Sequence, residues 1–150
     1  MISARLPRLP LTRKLQTLAG LSWSERLLTL EVAARLVYYE IGLRTAKPAR
    51  WMKAPAAART SSASPLEIAA VRRAVLRASR NIPGGTKCLP QALAARAMLA
   101  RRGVTAELKI AARSAPSQAD RFHAWLEYEG MQVTGVCDDS EYRVFGYTSN

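Results

Sequence analysis

The amino-acid sequence predicts an α+β fold in which helices come first and a small antiparallel sheet follows. Two stretches, "SWSE" at 22–25 and "SPLE" at 64–67, have the form of a capping box, and each precedes apolar residues at helical spacing. Beyond Gly103 the spacing changes to the alternation that is typical of strands. This order predicts a group of helices whose last member is covered on one side by an antiparallel meander.

The first predicted helix begins after Ser22. The Ser22 side chain is expected to accept a hydrogen bond from a backbone N–H of the first turn, and the Glu25 side chain to accept one from the Ser22 N–H. It continues through the apolar run from Leu27 to Leu43, and Pro48 and Pro55 end it. Charged residues interrupt this run, which is also too short to cross a bilayer. We therefore interpret it as a buried helix.

Two further helices are predicted after the linker. The second has Ser64 as its N-cap, Pro65 at its first position and Glu67 as the partner in the box, and "NIPGG" ends it. The third starts near Thr86 and stops before Gly103. The expected core-facing residues are Ile68, Val71, Val75 and Ala78 in the second helix, and Leu89, Leu93, Ala97 and Ala100 in the third.

Three strands are predicted after the third helix. "VTAELKIAA" alternates, with Ala106, Leu108 and Ile110 on one face. "FHAWLEY" makes the second strand, "EG" a tight turn and "MQV" the third strand.

The chain of 150 residues has the length of one domain with a single core. We expect a helical part at about 11–53, a linker at about 54–63 and a catalytic core at about 64–150. Two cysteines do not form a disulfide framework, and the N-terminal stretch lacks the continuous apolar region of a signal peptide. The expected location is the cytoplasm, where a disulfide between Cys88 and Cys137 is disfavoured.

The chain has a net charge of +12, which is typical of proteins that bind an anionic partner. Basic residues number 23 against 11 acidic ones, but they are spread along every segment and form no run of five. This pattern favours an acidic peptide or protein partner over nucleic acid, and an arginine-rich codon usage would produce it as well.

Cys88 stands where the chain leaves a glycine-rich loop and enters the third helix. A helix N-terminus offers unpaired N–H groups and partial positive charge, which stabilise a thiolate and can receive the oxyanion formed when it attacks an acyl carbon. Gly84 and Gly85 would let a substrate backbone approach closely. The position therefore predicts a cysteine nucleophile.

Such a nucleophile needs a base, and His123 is the only histidine in the chain. On its strand His123 shares a face with Trp125 and Glu127, so imidazole and sulfur can meet if that face covers the start of the third helix. Asp138 and Asp139 are the nearest acids beyond the following turn and are the candidates for a third, orienting residue. This chemistry requires neither a cofactor nor a metal ion.

Structural roles remain open for the same residues. A lone cysteine in an apolar helix is often a small packing residue, and a single histidine on a strand is often structural. Cys137 is interpreted as a packing cysteine. In that case the chain would be a non-catalytic basic helical adaptor or a nucleic-acid-binding module.

The joint pattern resembles the transglutaminase-like cysteine protease superfamily, and more closely the lasso peptide biosynthesis B proteins, which are leader peptidases. The matching blocks are "KCLPQALAARAMLARRGVTAELKIAARS", with Cys88 opening the helix, and "FHAWLEYEGMQVTG", with His123 in a His-Ala-Trp signature. "LSWSERLLTLEVAARL" is similar to the opening of that family. The resemblance implies a transglutaminase/papain-like fold, in which the helix that carries the nucleophile packs on the sheet.

The resemblance also implies an activity and partners. A thiol peptidase of this family removes the leader from a ribosomally made precursor peptide, acting with a leader-recognition protein, before an ATP-dependent lasso cyclase closes the ring. The family's third catalytic residue is an Asp soon after the His-Ala-Trp strand, where this chain has "MQVTG". Asp138 and Asp139 therefore stay the candidates, with Gln132 or Glu127 as substitutes.

Overall fold

The computed structural model describes residues 20–47, 49–53, 63–113 and 122–148. Along these residues the chain forms four helices, then three strands, a single 3₁₀ turn at Asp139–Glu141 and a fourth strand. The helices are α1 (Trp23–Thr45), α2 (Ala49–Met52), α3 (Pro65–Asn81) and α4 (Cys88–Arg101). The strands are β1 (Glu107–Arg113), β2 (Phe122–Tyr128), β3 (Met131–Thr134) and β4 (Tyr142–Thr148). The predicted α+β class is confirmed, whereas Pro48 and most of the predicted linker lie outside the described residues.

Both predicted capping boxes are present and begin their helices. At α1 the Glu25 N–H donates to Ser22 Oγ at 3.3 Å, and the Ser22 N–H donates to Glu25 Oε2 at 3.1 Å. At α3 the same pair of bonds joins Ser64 and Glu67, at 3.2 and 2.9 Å. Each box satisfies two backbone donors that a helix start otherwise leaves without partners, so both starts are determined locally.

Helix α4 is buried on every side along most of its length. All residues from Ala92 to Ala100 are buried, because α1, α3 and the sheet all pack against this helix. The expected single core stripe is therefore wrong in one respect: the small alanines between the larger side chains also face neighbours. Even Arg96 is buried, and its guanidinium donates to the carbonyls of Trp51, Met52 and Lys53, which ties the end of α2 to α4.

The sheet has four antiparallel strands in the order β3-β2-β1-β4. The first three form the predicted meander, and β2 has the bounds that the sequence predicts. Glu129 and Gly130 join β2 to β3 with φ values of 47° and 77°, which is the sign that a two-residue type I′ turn requires at both positions. The fourth strand was not predicted, and it pairs with the free edge of β1.

The two faces of the sheet have different neighbours. Leu108, Leu126 and Val133 belong to the same core cluster as the buried residues of α1, α3 and α4, and Ile110 packs against that cluster. Side chains alternate along a strand, so His123 and Trp125 lie on the other face of β2. The strands thus cover one side of α4, as predicted, but with the face opposite to the one that carries the histidine.

Within the described part of the chain, no helix combines the length and the apolar character that a membrane span needs.

Candidate active site

Cys88 is the first residue of α4, and its side chain is half-buried. The preceding residue, Lys87, gives the helix no side-chain cap. Its own N–H group donates to Glu40 Oε1 at 3.1 Å, so a carboxylate of α1 holds the chain directly before the cysteine. Among the described residues no acceptor binds the N–H groups of Cys88 and Leu89, and Pro90 has none to offer. The start of α4 therefore presents free backbone donors beside a thiol.

The loop before Cys88 is closed by side-chain contacts and is open on its outer side. Gln91 Nε2 donates to the Thr86 carbonyl at 2.8 Å and to Thr86 Oγ1 at 3.2 Å. Gly84 and Gly85 have φ values of 79° and 70°, and a Cβ built at either one meets nothing within 4 Å. The expected access for a substrate backbone at this loop is consistent with that open space.

His123 is half-buried near the start of β2, and its imidazole is bound through one nitrogen. The distance from His123 Nε2 to the carbonyl oxygen of Gly135 is 2.8 Å. Because a carbonyl oxygen only accepts, the proton must be on Nε2. No described residue forms a hydrogen bond with Nδ1, so in the neutral ring that nitrogen keeps its lone pair. A base that can take a thiol proton needs such a nitrogen.

Two aromatic rings flank the imidazole. The centroid of Trp125 lies 6.1 Å from that of His123, with the planes 29° apart, and the centroid of Tyr142 lies at 5.4 Å, with the planes 34° apart. Trp125 is 1% exposed, and its Nε1 donates to Glu127 Oε2 at 3.4 Å. The predicted common face of His123, Trp125 and Glu127 is confirmed, and these rings restrict how the imidazole can turn.

The loop that follows β3 connects the surroundings of the histidine with those of the cysteine. Gly135 binds His123, and two residues further on is Cys137. Burial raises the pKa of the Cys137 thiol, and the negative charges of Asp139, Asp138 and Cys88 raise it further, against a hydrogen bond from Gln132 that lowers it. Cys137 thus lies close enough to Cys88 to sense its charge.

No hydrogen bond joins Cys88 Sγ to His123 in the described part of the chain. His123 binds the loop after β3 and lies on the face of β2 opposite to the one that packs on α4. In enzymes of this kind the bond between base and nucleophile is often long before substrate binds. The direct contact between thiol and imidazole stays a prediction.

The candidate third residues are engaged elsewhere. Asp138 Oδ1 accepts from the N–H and the hydroxyl of Ser140 at 3.1 and 2.6 Å, and these bonds lower the pKa of the Asp138 carboxyl. Asp139 begins the 3₁₀ turn close to the Cys137 sulfur. The catalytic roles assigned to Asp138 and Asp139 stay predictions.

The two substitutes for the third residue also have other partners. Glu127 Oε1 forms an ion pair with Lys109 Nζ at 2.6 Å. Gln132 Oε1 accepts from the Cys137 N–H at 2.9 Å. Both side chains therefore support the sheet and the loop after β3.

Two neighbours of the imidazole were missed by the sequence analysis. Tyr142 belongs to the strand that was not predicted, although "EYRVFGYT" carries the aromatic and β-branched residues of a strand. Gly135 contributes only its backbone, so its sole signal is a glycine two residues after the third predicted strand. Among the described residues no three His, Cys, Asp or Glu side chains cluster as a metal site requires.

Comparison with known families assigns the fold. The sequence profile described as "Transglutaminase-like superfamily" matches residues 26–146, a segment that includes Cys88, His123, the first three strands and most of β4. The chain belongs to the transglutaminase-like superfamily, which commonly includes cysteine peptidases. Comparison with curated proteins and with solved structures finds no match.

Proposed function

We propose that the protein is a cysteine peptidase that removes the leader from a ribosomally synthesised lasso-peptide precursor. The observation that supports it best is the hydrogen bond from His123 Nε2 to the Gly135 carbonyl, which leaves Nδ1 with its lone pair in the neutral ring. The other group that this chemistry needs, a thiol beside free backbone donors, is Cys88 at the uncapped start of α4. Membership of the superfamily supports the same chemistry.

The reaction begins when His123 Nδ1 takes the proton of Cys88 and the thiolate attacks the carbonyl at the leader–core junction. The N–H groups of Cys88 and Leu89 stabilise the oxyanion. The imidazolium then gives its proton to the departing amine, and a thioester remains on Cys88. Water, deprotonated by the imidazole, hydrolyses that thioester. The products are a leader acid and a core peptide with a free α-amine, which a cyclase can use.

The peptidase acts with a separate leader-recognition protein and supplies its product to an ATP-dependent lasso cyclase. These partners follow from the sequence resemblance. The net charge of +12 supports an acidic segment on the leader or the partner, and this contribution to binding is screened by salt.

The test compares wild type with the Cys88→Ala variant, each incubated with the precursor peptide and the leader-recognition protein. We expect leader removal to fall at least about 10³-fold in the variant, because the thiol proposed to form the thioester is then absent. Cys137→Ala is the matched control, since it removes the other thiol, and it should keep most of the activity.

The mass of the leader product decides between neighbouring chemistries. Hydrolysis yields a free acid, whereas resolution of the thioester by an amine yields an amide. Undiminished leader removal by Cys88→Ala would contradict the cysteine peptidase, whereas an absence of leader removal in wild type as well would favour the adaptor alternative.

A further inference from the structure

The orientation of His123 depends on a backbone atom rather than on a carboxylate side chain. Nε2 donates to the Gly135 carbonyl at 2.8 Å, and this is the hydrogen bond that the described residues provide to the imidazole. In the same part of the chain, the Asp138 carboxylate is bound to Ser140 and the Glu127 carboxylate to Lys109.

The position of Gly135 follows from the pairing of the two strands. Thr134, the last residue of β3, pairs with Leu126, and the chain then turns with a φ of 65° at Gly135. A Cβ built at Gly135 would lie 2.6 Å from the Ala124 carbonyl oxygen, 3.1 Å from Trp125 Cβ and 3.3 Å from His123 Nε2. Only glycine has both the backbone freedom and the room to present its carbonyl to the ring at this position.

We infer that the main-chain carbonyl of Gly135 is the positioning group of the catalytic histidine and takes the place of a third catalytic carboxylate. This inference rests on the proposed function. The carbonyl fixes the proton on Nε2, and Trp125 and Tyr142 restrict the rotation of the ring. Nδ1 is then the nitrogen that accepts the proton of the Cys88 thiol and gives it to the departing amine.

A neutral acceptor has a different effect from a carboxylate. A carboxylate binds an imidazolium through a charge-assisted hydrogen bond, which is roughly twice as strong as a neutral one. The Gly135 carbonyl stabilises the charged ring less and contributes mainly by fixing the tautomer and the orientation. A wrong tautomer alone is known to impair triad enzymes severely.

The test uses nuclear magnetic resonance on tag-free, ¹⁵N-labelled protein with the Cys88→Ala substitution. Since His123 is the only histidine, the spectrum contains a single imidazole. We expect a proton on Nε2 that exchanges slowly with water and shows Overhauser contacts to the α-protons of Gly135. This readout needs no substrate, so it stays valid if the peptidase proposal fails. The signal should persist in Asp138→Asn and Asp139→Asn.

Two matched glycine variants separate positioning from general strain. Gly135→Ala and Gly130→Ala both place a side chain at a positive φ, but a Cβ at Gly130 meets nothing within 4 Å. In the cleavage assay we expect Gly135→Ala to lower kcat by about 10²-fold with little change in KM, and to lose the protected proton. Gly130→Ala should keep the wild-type kcat and the protected proton. If Gly135→Ala does not fold, the measurement on Cys88→Ala decides alone.

Overhauser contacts from the Nε2 proton to the side chains of Asp138 or Asp139 would overturn the inference. A proton on Nδ1, a rapidly exchanging Nε2 proton, or loss of the signal in either Asp→Asn variant would overturn it as well. Leader removal that fails in wild type while the protected proton is present would contradict the proposed function and leave the role of Gly135 in orienting the ring intact.

Discussion

The two thiols have different surroundings, although they lie near the same loop. Cys88 begins a helix whose first N–H groups have no acceptor among the described residues. Cys137 lies after β3, where burial and then the charge of Asp139 raise the pKa of its thiol. A raised pKa leaves less thiolate at neutral pH, and the thiolate is the nucleophile. At the scale of single residues, Cys137 is therefore protected from the chemistry proposed for Cys88.

We predict slow alkylation of Cys137 at neutral pH. In the Cys88→Ala variant, iodoacetamide at pH 8 should modify the folded protein more slowly than the same chain unfolded in urea, and the difference should shrink as the pH rises above the raised pKa of the Cys137 thiol. Mass spectrometry of timed samples gives both rates. Equal rates at pH 8 would show that the environment of the loop does not suppress the thiolate.

At the scale of elements, α1 and α4 are connected directly before the cysteine. Glu40 Oε1 accepts the Lys87 N–H at 3.1 Å, and Glu40 also forms an ion pair with Arg44 at 3.5 Å. The side chain of Glu40 is 18% exposed, whereas the bond that it forms reaches the exposed Lys87. The carboxylate therefore holds the residue directly before Cys88 and leaves the first N–H groups of α4 without an acceptor among the described residues.

We expect Glu40→Ala to lower the free energy of unfolding by about 1 kcal/mol, as the loss of one hydrogen bond does, and to lower kcat because the chain directly before Cys88 is held less firmly. Glu40→Gln is the matched control, because its amide oxygen can still accept the Lys87 N–H. Urea unfolding and the cleavage assay give the two quantities. Equal losses of stability and of kcat in Glu40→Gln and Glu40→Ala would show that the hydrogen bond to the Lys87 N–H does not hold the chain directly before Cys88.

The helix starts could be predicted from sequence because their causes are local. In each capping box, two residues three positions apart satisfy each other's backbone N–H groups through their side chains: Ser22 and Glu25 at α1, and Ser64 and Glu67 at α3. The hairpin after β2 is local for the same reason, since Glu129 and Gly130 allow the turn that joins adjacent strands.

The remaining features depend on contacts between distant segments. Strand β4 exists because it pairs with β1, and no local pattern states which edge a strand will join. The burial of α4 on all sides depends on three neighbours that pack against it. The Gly135 carbonyl reaches His123 only after β3 has paired with β2, so residue types could suggest carboxylates but not this atom.

At the scale of the whole molecule, the residues of the candidate site come from separate elements. Helix α1 supplies Glu40, α4 supplies Cys88, β2 supplies His123, and β4 supplies Tyr142. These four residues lie within the segment that the superfamily profile matches. The candidate site therefore depends on the complete α+β arrangement, since no single element carries both the proposed nucleophile and the proposed base.

If His123 activates Cys88, the alkylation rate of Cys88 depends on the imidazole, and this rate can be measured without substrate or partner. Iodoacetamide at pH 7 is applied to wild type and to His123→Gln, with Cys137 as the internal reference and circular dichroism as the check on folding. We expect Cys88 to react faster than Cys137 in wild type, and to react at least about tenfold more slowly in His123→Gln than in wild type, while the rate of Cys137 is unchanged. An equal Cys88 rate in the two folded proteins would contradict it.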